Sequence, residues 1–234
     1  MSLFSSAEAP TPVFDTSLAW NHEMVAGDDF LIVIVKSRQD NGFPDTNTPT
    51  YNGVGPSASE IVTVDSSTGI ERSRAWVWLA EDLPGTPGVY EVEVTAGGNR
   101  FLGPNSIFLS GAEQAVPGGG QVDSQSTDTT TSTVTLSVDT EGSIVIDGAI
   151  NNGTGASTPG SGQTVLQNEP TGSDPQTFVS SYKDDQLVGD IDMEWTRGSV
   201  GTRVAHVGVF IRPASGEPSA PEGHHFTIHR PVGV

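Results

Sequence analysis

The chain has 234 residues with 29 acidic against 10 basic side chains, a formal charge of −19, and contains no cysteine. That balance leaves no basic surface for nucleic acid, the missing thiols exclude disulfides and cysteine nucleophiles, and no apolar run of roughly 18 residues offers a membrane-spanning helix. The acids are dispersed and apolar residues make up 34% of the chain, which is enough for a core, so disorder does not account for the acidity. Only two of the basic residues are lysines, Lys36 and Lys183. A folded surface of this kind repels itself at low ionic strength, whereas molar salt shortens the Debye length to about 3 Å and removes the penalty. The composition sets the expectation of a halophile's protein.

Helical periodicity is absent, and 28 glycines and 16 prolines punctuate short runs rich in Val, Ile, Thr and aromatics. The expected fold class is all-β: an antiparallel β-sandwich or jelly roll with long polar loops. In chain order, strands are predicted at Leu18–Val25, Phe30–Ser37, Ser59–Val64, Arg74–Ala80, Val89–Thr95 and Asn105–Ser110. The series continues with Thr131–Val138, Ser143–Ile150, Gln163–Leu166, Gln176–Tyr182, Asp190–Thr196 and Arg203–Arg212. Turn chemistry separates most neighbours, as at Gly27-Asp28-Asp29, Ser67-Thr68-Gly69 and Glu141-Gly142. Phe30–Val35 and Ser143–Ile146 are continuous apolar runs suited to strands covered on both faces, while Val89–Thr95 alternates and should wet one face.

An internal echo runs through the chain. Leu18-Ala19-Trp20, an acidic turn and Phe30–Val33 are matched by Val134-Thr135-Leu136, an acidic turn and Ile144–Ile146. We expect two halves of one sandwich, since neither half shows strands enough to cover its own core. The polar stretches Pro117–Gln121, Asp123–Thr131 and Asn151–Gly162 are expected as long surface loops. The expected organisation is an N-terminal arm over 1–16, one β-sandwich domain over 17–213 and a C-terminal extension over 214–234. The segment Met1–Ser17 has neither a basic stretch nor an apolar run of signal-peptide length, which predicts no Sec export.

The order of landmarks resembles a β-sandwich module of large surface or adhesin-like proteins and of virus structural proteins. The landmarks are Leu18–His22, Phe30–Val35, Tyr51-Asn52-Gly53, Ala75–Leu79, Val89–Thr95, Phe108–Pro117, Ile144–Asp147, Met193–Thr196 and Ala205–Pro213. The resemblance implies a jelly-roll-like fold and a display or binding role without catalytic residues. Together with the acidic surface and the absence of a leader, it sets the expectation of a non-enzymatic virion protein of a virus infecting a halophilic host. Such a protein, made in the host cytoplasm, would be a capsid decoration, turret or tail-associated subunit. Its expected partners are copies of itself, as a trimer or pentamer, other virion proteins and host surface glycans, with no nucleic acid and no membrane insertion. The rival expectation is a cellular carbohydrate- or surface-binding module, and a remoter one a laminarinase-like glycosidase.

The glycosidase idea rests on Asp190, Asp192 and Glu194, which at every second position of one strand share a face. Retaining sandwich glycosidases set two such carboxyls roughly 5–5.5 Å apart. The simpler reading is a wet strand face alternating with buried Ile191, Met193 and Trp195, so no catalytic residue is assigned. Calcium is weighed through Asp40, Asn41, Asp45 and Asn47 in one loop, of which Asp40, Asp45 and Asn47 are the weak candidates, and through Asp184, Asp185 and Asp190 in another. Neither loop has the spacing of a dedicated calcium site, and solvated acidic loops are the default, with no cofactor expected. His224, His225 and His229 suit zinc poorly because adjacent residues of an extended chain point apart. Trp20, Trp76, Trp78 and Trp195 all fall within predicted strands and are expected in the core rather than as sugar platforms.

Folding is predicted to depend on salt. The protein should melt cooperatively in molar salt and lose structure on dialysis to millimolar salt, followed by circular dichroism; equal melting temperatures in both buffers would contradict the halophile reading.

Overall fold

A computed structural model describes residues 3–38, 46–153, 155–171, 176–197 and 203–215. The chain is built almost wholly of antiparallel strands. The first half holds β1 (Phe4–Glu8), β2 (Val13–Met24), β3 (Asp28–Arg38), β4 (Thr50–Tyr51), β5 (Val62–Asp65), β6 (Glu71–Leu79), β7 (Gly88–Leu102) and β8 (Asn105–Ser110). The second half holds β9 (Val122–Thr127), β10 (Thr131–Val138), β11 (Ser143–Asn151), β12 (Thr158–Pro159), β13 (Thr164–Thr171), β14 (Gln176–Gln186), β15 (Gly189–Thr196) and β16 (Val204–Ile211).

The two halves repeat one topology. In the first, β1-β8-β3-β6-β5 form one layer, and β2 and β4 flank β7 in a second; the end of β7 bends back to pair with β3 and joins the two. In the second, β9-β16-β11-β14-β13 form one layer and β10-β15-β12 the other. Strand for strand, the second unit is the first shifted by eight. The faint echo in the sequence is therefore a complete structural repeat, and each half does possess a second layer of its own, contrary to expectation.

Four β-layers result, with the two five-stranded sheets face to face in the middle. Alternation along β3 explains the arrangement. Phe30, Ile32 and Ile34 point to the second unit and pack with Ile107, Ile144, Ile146, Val207 and Val209, while Leu31, Val33 and Val35 point to the first unit's outer layer and pack with Trp76, Trp78, Val92, Val94 and Phe108. β11 does the same in reverse, sending Val145 towards Val134, Leu136 and Met193 of the other outer layer, where Phe210 of β16 joins them. Strands buried on both faces read as continuous apolar runs, which is why β3, β11 and β16 look alike in sequence.

Across the middle, β1 lies beside β14, with Phe4 stacked on Tyr182 at 4.4 Å, and Ser73 of β6 donates to the Ala205 carbonyl of β16 at 2.8 Å. Ile34 of β3 sits on Gly148 of β11, and β5 runs against β9. In each unit's own count, first strand meets sixth, third meets third, sixth meets eighth and fifth meets first. The two five-stranded sheets thus face each other with their strand orders reversed and with β3 over β11 at the centre.

All twelve predicted strands are present. The four that sequence reading missed, β1, β4, β9 and β12, are short or polar edge strands with no alternation of their own. Residues 4–8, expected within a free arm, are β1: they pair with β8, and Leu3 beside them is buried. Asp123–Thr131, expected as a loop, largely becomes β9, which pairs with β16. At the other end Ala214 donates to the Gly111 carbonyl at 2.8 Å, and the rest of the expected extension, 216–234, lies outside the described residues.

The contact between Ile34 and Gly148 is testable. A Cβ on Gly148 would lie 2.6 Å from Ile34 Cγ2, part of a β-branched side chain with no room to turn. Gly148→Ala should cost about 1–3 kcal/mol by overpacking, and Ile34→Ala in the same chain should restore part of it, as a non-additive double-mutant cycle in urea would show.

Candidate functional site

The acidic row lies on the outermost sheet. Asp190 and Asp192 are exposed and Glu194 half-buried on the solvent face of β15, while Met193 and Trp195 are buried behind it. Cross-strand hydroxyls occupy the first two: Ser137 Oγ donates to Asp190 and Thr135 Oγ1 to Asp192, each at 2.7 Å. The carboxylates are thus tied to a flat ladder rather than set across a cleft. Of the calcium candidates, Asp40 and Asp45 lie outside the described residues, as do Asn41 and all three C-terminal histidines. Asn47 spends its side-chain amide on Thr95 Oγ1 at 2.7 Å. Among the described residues, no three His, Asp or Glu side chains converge as metal ligands.

Three of the tryptophans are buried. Trp76 and Trp78 fill the first unit's core and Trp195 the second's, whereas Trp20 is half-buried at the rim and donates to Ser106 Oγ at 2.9 Å. Trp76 also floors a shallow polar hollow of about 410 Å³ walled by Thr46, Asn47, Ser59, Glu60 and Arg74. Arg74 and Glu60 form an ion pair there at 3.3 Å.

Sequence reading missed the buried polar centres. Asp147, fully buried in β11, takes hydrogen bonds from Ser181 N and Oγ at 2.8 and 2.6 Å and from Trp195 Nε1 at 2.7 Å, and its Oδ2 meets His206 Nε2 at 2.9 Å. The other imidazole nitrogen is 2.8 Å from Ser132 Oγ. Ser132, His206 and Asp147 thus stand in the order of a hydrolase triad. All three are at most 1% exposed, so no substrate reaches the hydroxyl and the chain of bonds acts as a tie between layers. A signal for it existed: Asp147 and His206 interrupt strands that are otherwise apolar on both faces.

A second centre lies between the units. Lys36 is fully buried and donates to Asn105 Oδ1 at 2.8 Å and, across the interface, to Gln167 Oε1 at 2.6 Å. Burial pushes its pKa down to about 7, with the negative charge of Asp147 working against the shift. The unfolded chain carries the ordinary, higher pKa. The burden on stability is therefore greatest below about pH 7 and eases as pH rises from there. Glu71, also buried, accepts from Ser66 Oγ at 2.6 Å and pairs with Arg203 of the second unit at 3.3 Å.

No protein-family model, curated protein or solved structure matches the chain.

His22 supplies a pH test. Its ring is held between Ser6 Oγ and Ser106 Oγ at 3.0 and 2.9 Å, and burial lowers its pKa from 6.5 to about 4. The unfolded chain takes up this proton first, so the stability held above pH 6.5 is lost as pH falls towards 4. The loss is on the order of 3 kcal/mol, and urea midpoints in molar salt should show a shallower pH slope in His22→Gln than in the wild type.

Proposed function

We propose that this is a non-enzymatic structural subunit of a particle, a capsid decoration, turret or tail-associated protein of a virus whose host lives in high salt. The observation that carries the reading is where the reactive groups lie. The carboxylates that alternate along β15 are spent on a hydroxyl ladder, and the serine, histidine and aspartate that come together are closed inside the fold as ties. A chain that uses its polar chemistry to lock four layers together is built for rigidity and display. The charge of −19 supports a surface made for strong salt.

The strand order supports the finer part of the proposal. β1-β8-β3-β6 beside β2-β7-β4 follows the winding of a jelly roll, with β5 placed beyond β6 instead of beside β4, and the second unit repeats it. We read the chain as two such units fused face to face, assembling further into a closed ring, a trimer or pentamer, that meets other particle proteins and the host surface.

A carbohydrate- or surface-binding module is the second reading, favoured by the polar cleft over Trp76 with Arg74 and Glu60 on its walls. A glycan array in molar salt separates the two. Binding that disappears in Arg74→Ala with the fold intact would favour the module, while mass spectrometry of virions from halophilic hosts should find the chain if the particle reading holds. Changing Asp190, Asp192 and Glu194 to Asn, Asn and Gln should leave the fold intact and remove no activity. Hydrolysis of a β-glucan by the wild type that vanishes in Glu194→Gln would overturn the non-enzymatic assignment.

A further inference from the structure

The repeat provides an internal control for the sheet edges. In the second unit, the outer edge of β10 is sealed by side chains from β9: Gln125 Oε1 accepts from Thr133 N at 2.7 Å and Asp123 Oδ2 from Thr135 N at 2.9 Å. In the first unit, the corresponding edge belongs to β2, a 12-residue strand paired, among the described residues, only with β7. Its neighbour β1 sends Ser6 to the His22 ring instead of to the backbone. Among the described residues, nothing seals the outer edge of β2 from Ser17 to Met24. Leu18 and Trp20 are left half-buried at this rim of the core; Glu23 lies on the strand itself, Glu8 on the neighbouring β1, and Glu91 and Glu93 face Asn21 and Ala19 from β7, so the local charge is negative. An exposed edge of this length pairs with another strand unless something blocks it.

The sequence beyond the described residues fits that edge. Residues 223–234 contain no acid and carry Arg230 with three of the chain's five histidines, a local balance opposite to the rest of the molecule. Within them Phe226 and Ile228 alternate with His225, Thr227 and His229, the period of a strand with one apolar face. The chain leaves the described fold at the Met24 end of β2: Ala214 bonds to Gly111, whose own N–H donates to Asp29 Oδ2 at 3.0 Å, just past the β2–β3 turn. Residues 216–223, with Pro218 and Pro221, separate the described fold from 224–230 by eight residues, a length of chain that can reach up to about 25 Å and so can deliver that segment to a neighbouring copy.

We propose that the open edge of β2 receives residues 224–230 of a second copy of this chain as an added antiparallel strand. Phe226 and Ile228 cover Leu18 and Trp20, and the histidines and Arg230 meet the acidic rim. Main-chain hydrogen bonds supply the affinity and the two apolar side chains the register. Each copy offers one edge and one donor segment, a head-to-tail contact that closes into a ring. The inference rests on the assembly reading but is separable from it.

The test uses the full chain in molar salt, with light scattering for mass and amide hydrogen exchange read over β2. The wild type should run larger than a monomer, with amides of Ser17–Met24 exchanging about tenfold more slowly than in the double variant Phe226→Asp, Ile228→Asp, which should run smaller. A synthetic peptide of residues 222–234 added in excess to that variant should restore the protection. Equal exchange in wild type and variant would overturn the proposal, as would peptide protection on another strand. Protection that survives dilution to the monomer would assign the edge to the chain's own segment and overturn the second-copy assignment. An assembled wild type with an unprotected β2 would sink the edge contact while leaving the structural role standing.

Discussion

Everything in this molecule depends on the contact between the two five-stranded sheets. Each sheet has a second face to cover within its own unit, so β3 and β11 are desolvated from both sides, and the aliphatic layer between them is the largest block of apolar surface removed from water. Burial of each such side chain contributes about 1.5–3 kcal/mol, and nine or more of them meet here. Either unit alone would leave Phe30, Ile32 and Ile34, or Ile144 and Ile146, facing solvent. The units are topologically complete but energetically incomplete. Close approach also requires small residues between the sheets, and Gly148 under Ile34 and Gly103 under Phe178 mark where the layers come nearest.

An apolar interface of this size could slide, because one greasy face fits another in several registers. Polar groups placed inside it remove that freedom. Lys36 must find both Asn105 of its own unit and Gln167 of the other, and Glu71 must find Arg203. A shifted register would leave a buried ammonium or carboxylate without partners, which costs several kcal/mol, so these groups select one arrangement even where they add little net stability. The Asp147 centre does the same between the second unit's layers, holding β15 over β11 and β16 through Trp195 and His206. Lysine is almost absent from this acidic chain, and one of its two copies is kept in the middle of the core.

The surface follows a different logic. Acid dispersed over solvent faces keeps copies apart unless salt screens it, and the same acid marks the rim of β2 as a place for a partner of opposite local charge. The two units share a topology, yet their outer edges are not treated alike. β9 reaches over β10 and closes it, whereas β1 turns its serine to a buried imidazole.

The all-β class, the positions of the long strands and the double-sided burial of Phe30–Val35 and Ser143–Ile146 were legible in the sequence, because hydrophobic period and turn chemistry are local properties of the chain. The alternation of Asp190, Asp192 and Glu194 with Ile191, Met193 and Trp195 was legible for the same reason. The sequence by itself could not show that its echo was a whole second copy of an eight-stranded topology, because edge strands such as β1, β9 and β12 take their structure from the neighbour they pair with rather than from their own pattern. Nor could it join Ser132, Asp147 and His206, or Lys36, Asn105 and Gln167, which are far apart in the chain. Only the tertiary structure decides those meetings, because they depend on which sheet faces which, and that choice is made by the summed burial of two surfaces rather than by any residue's local preference.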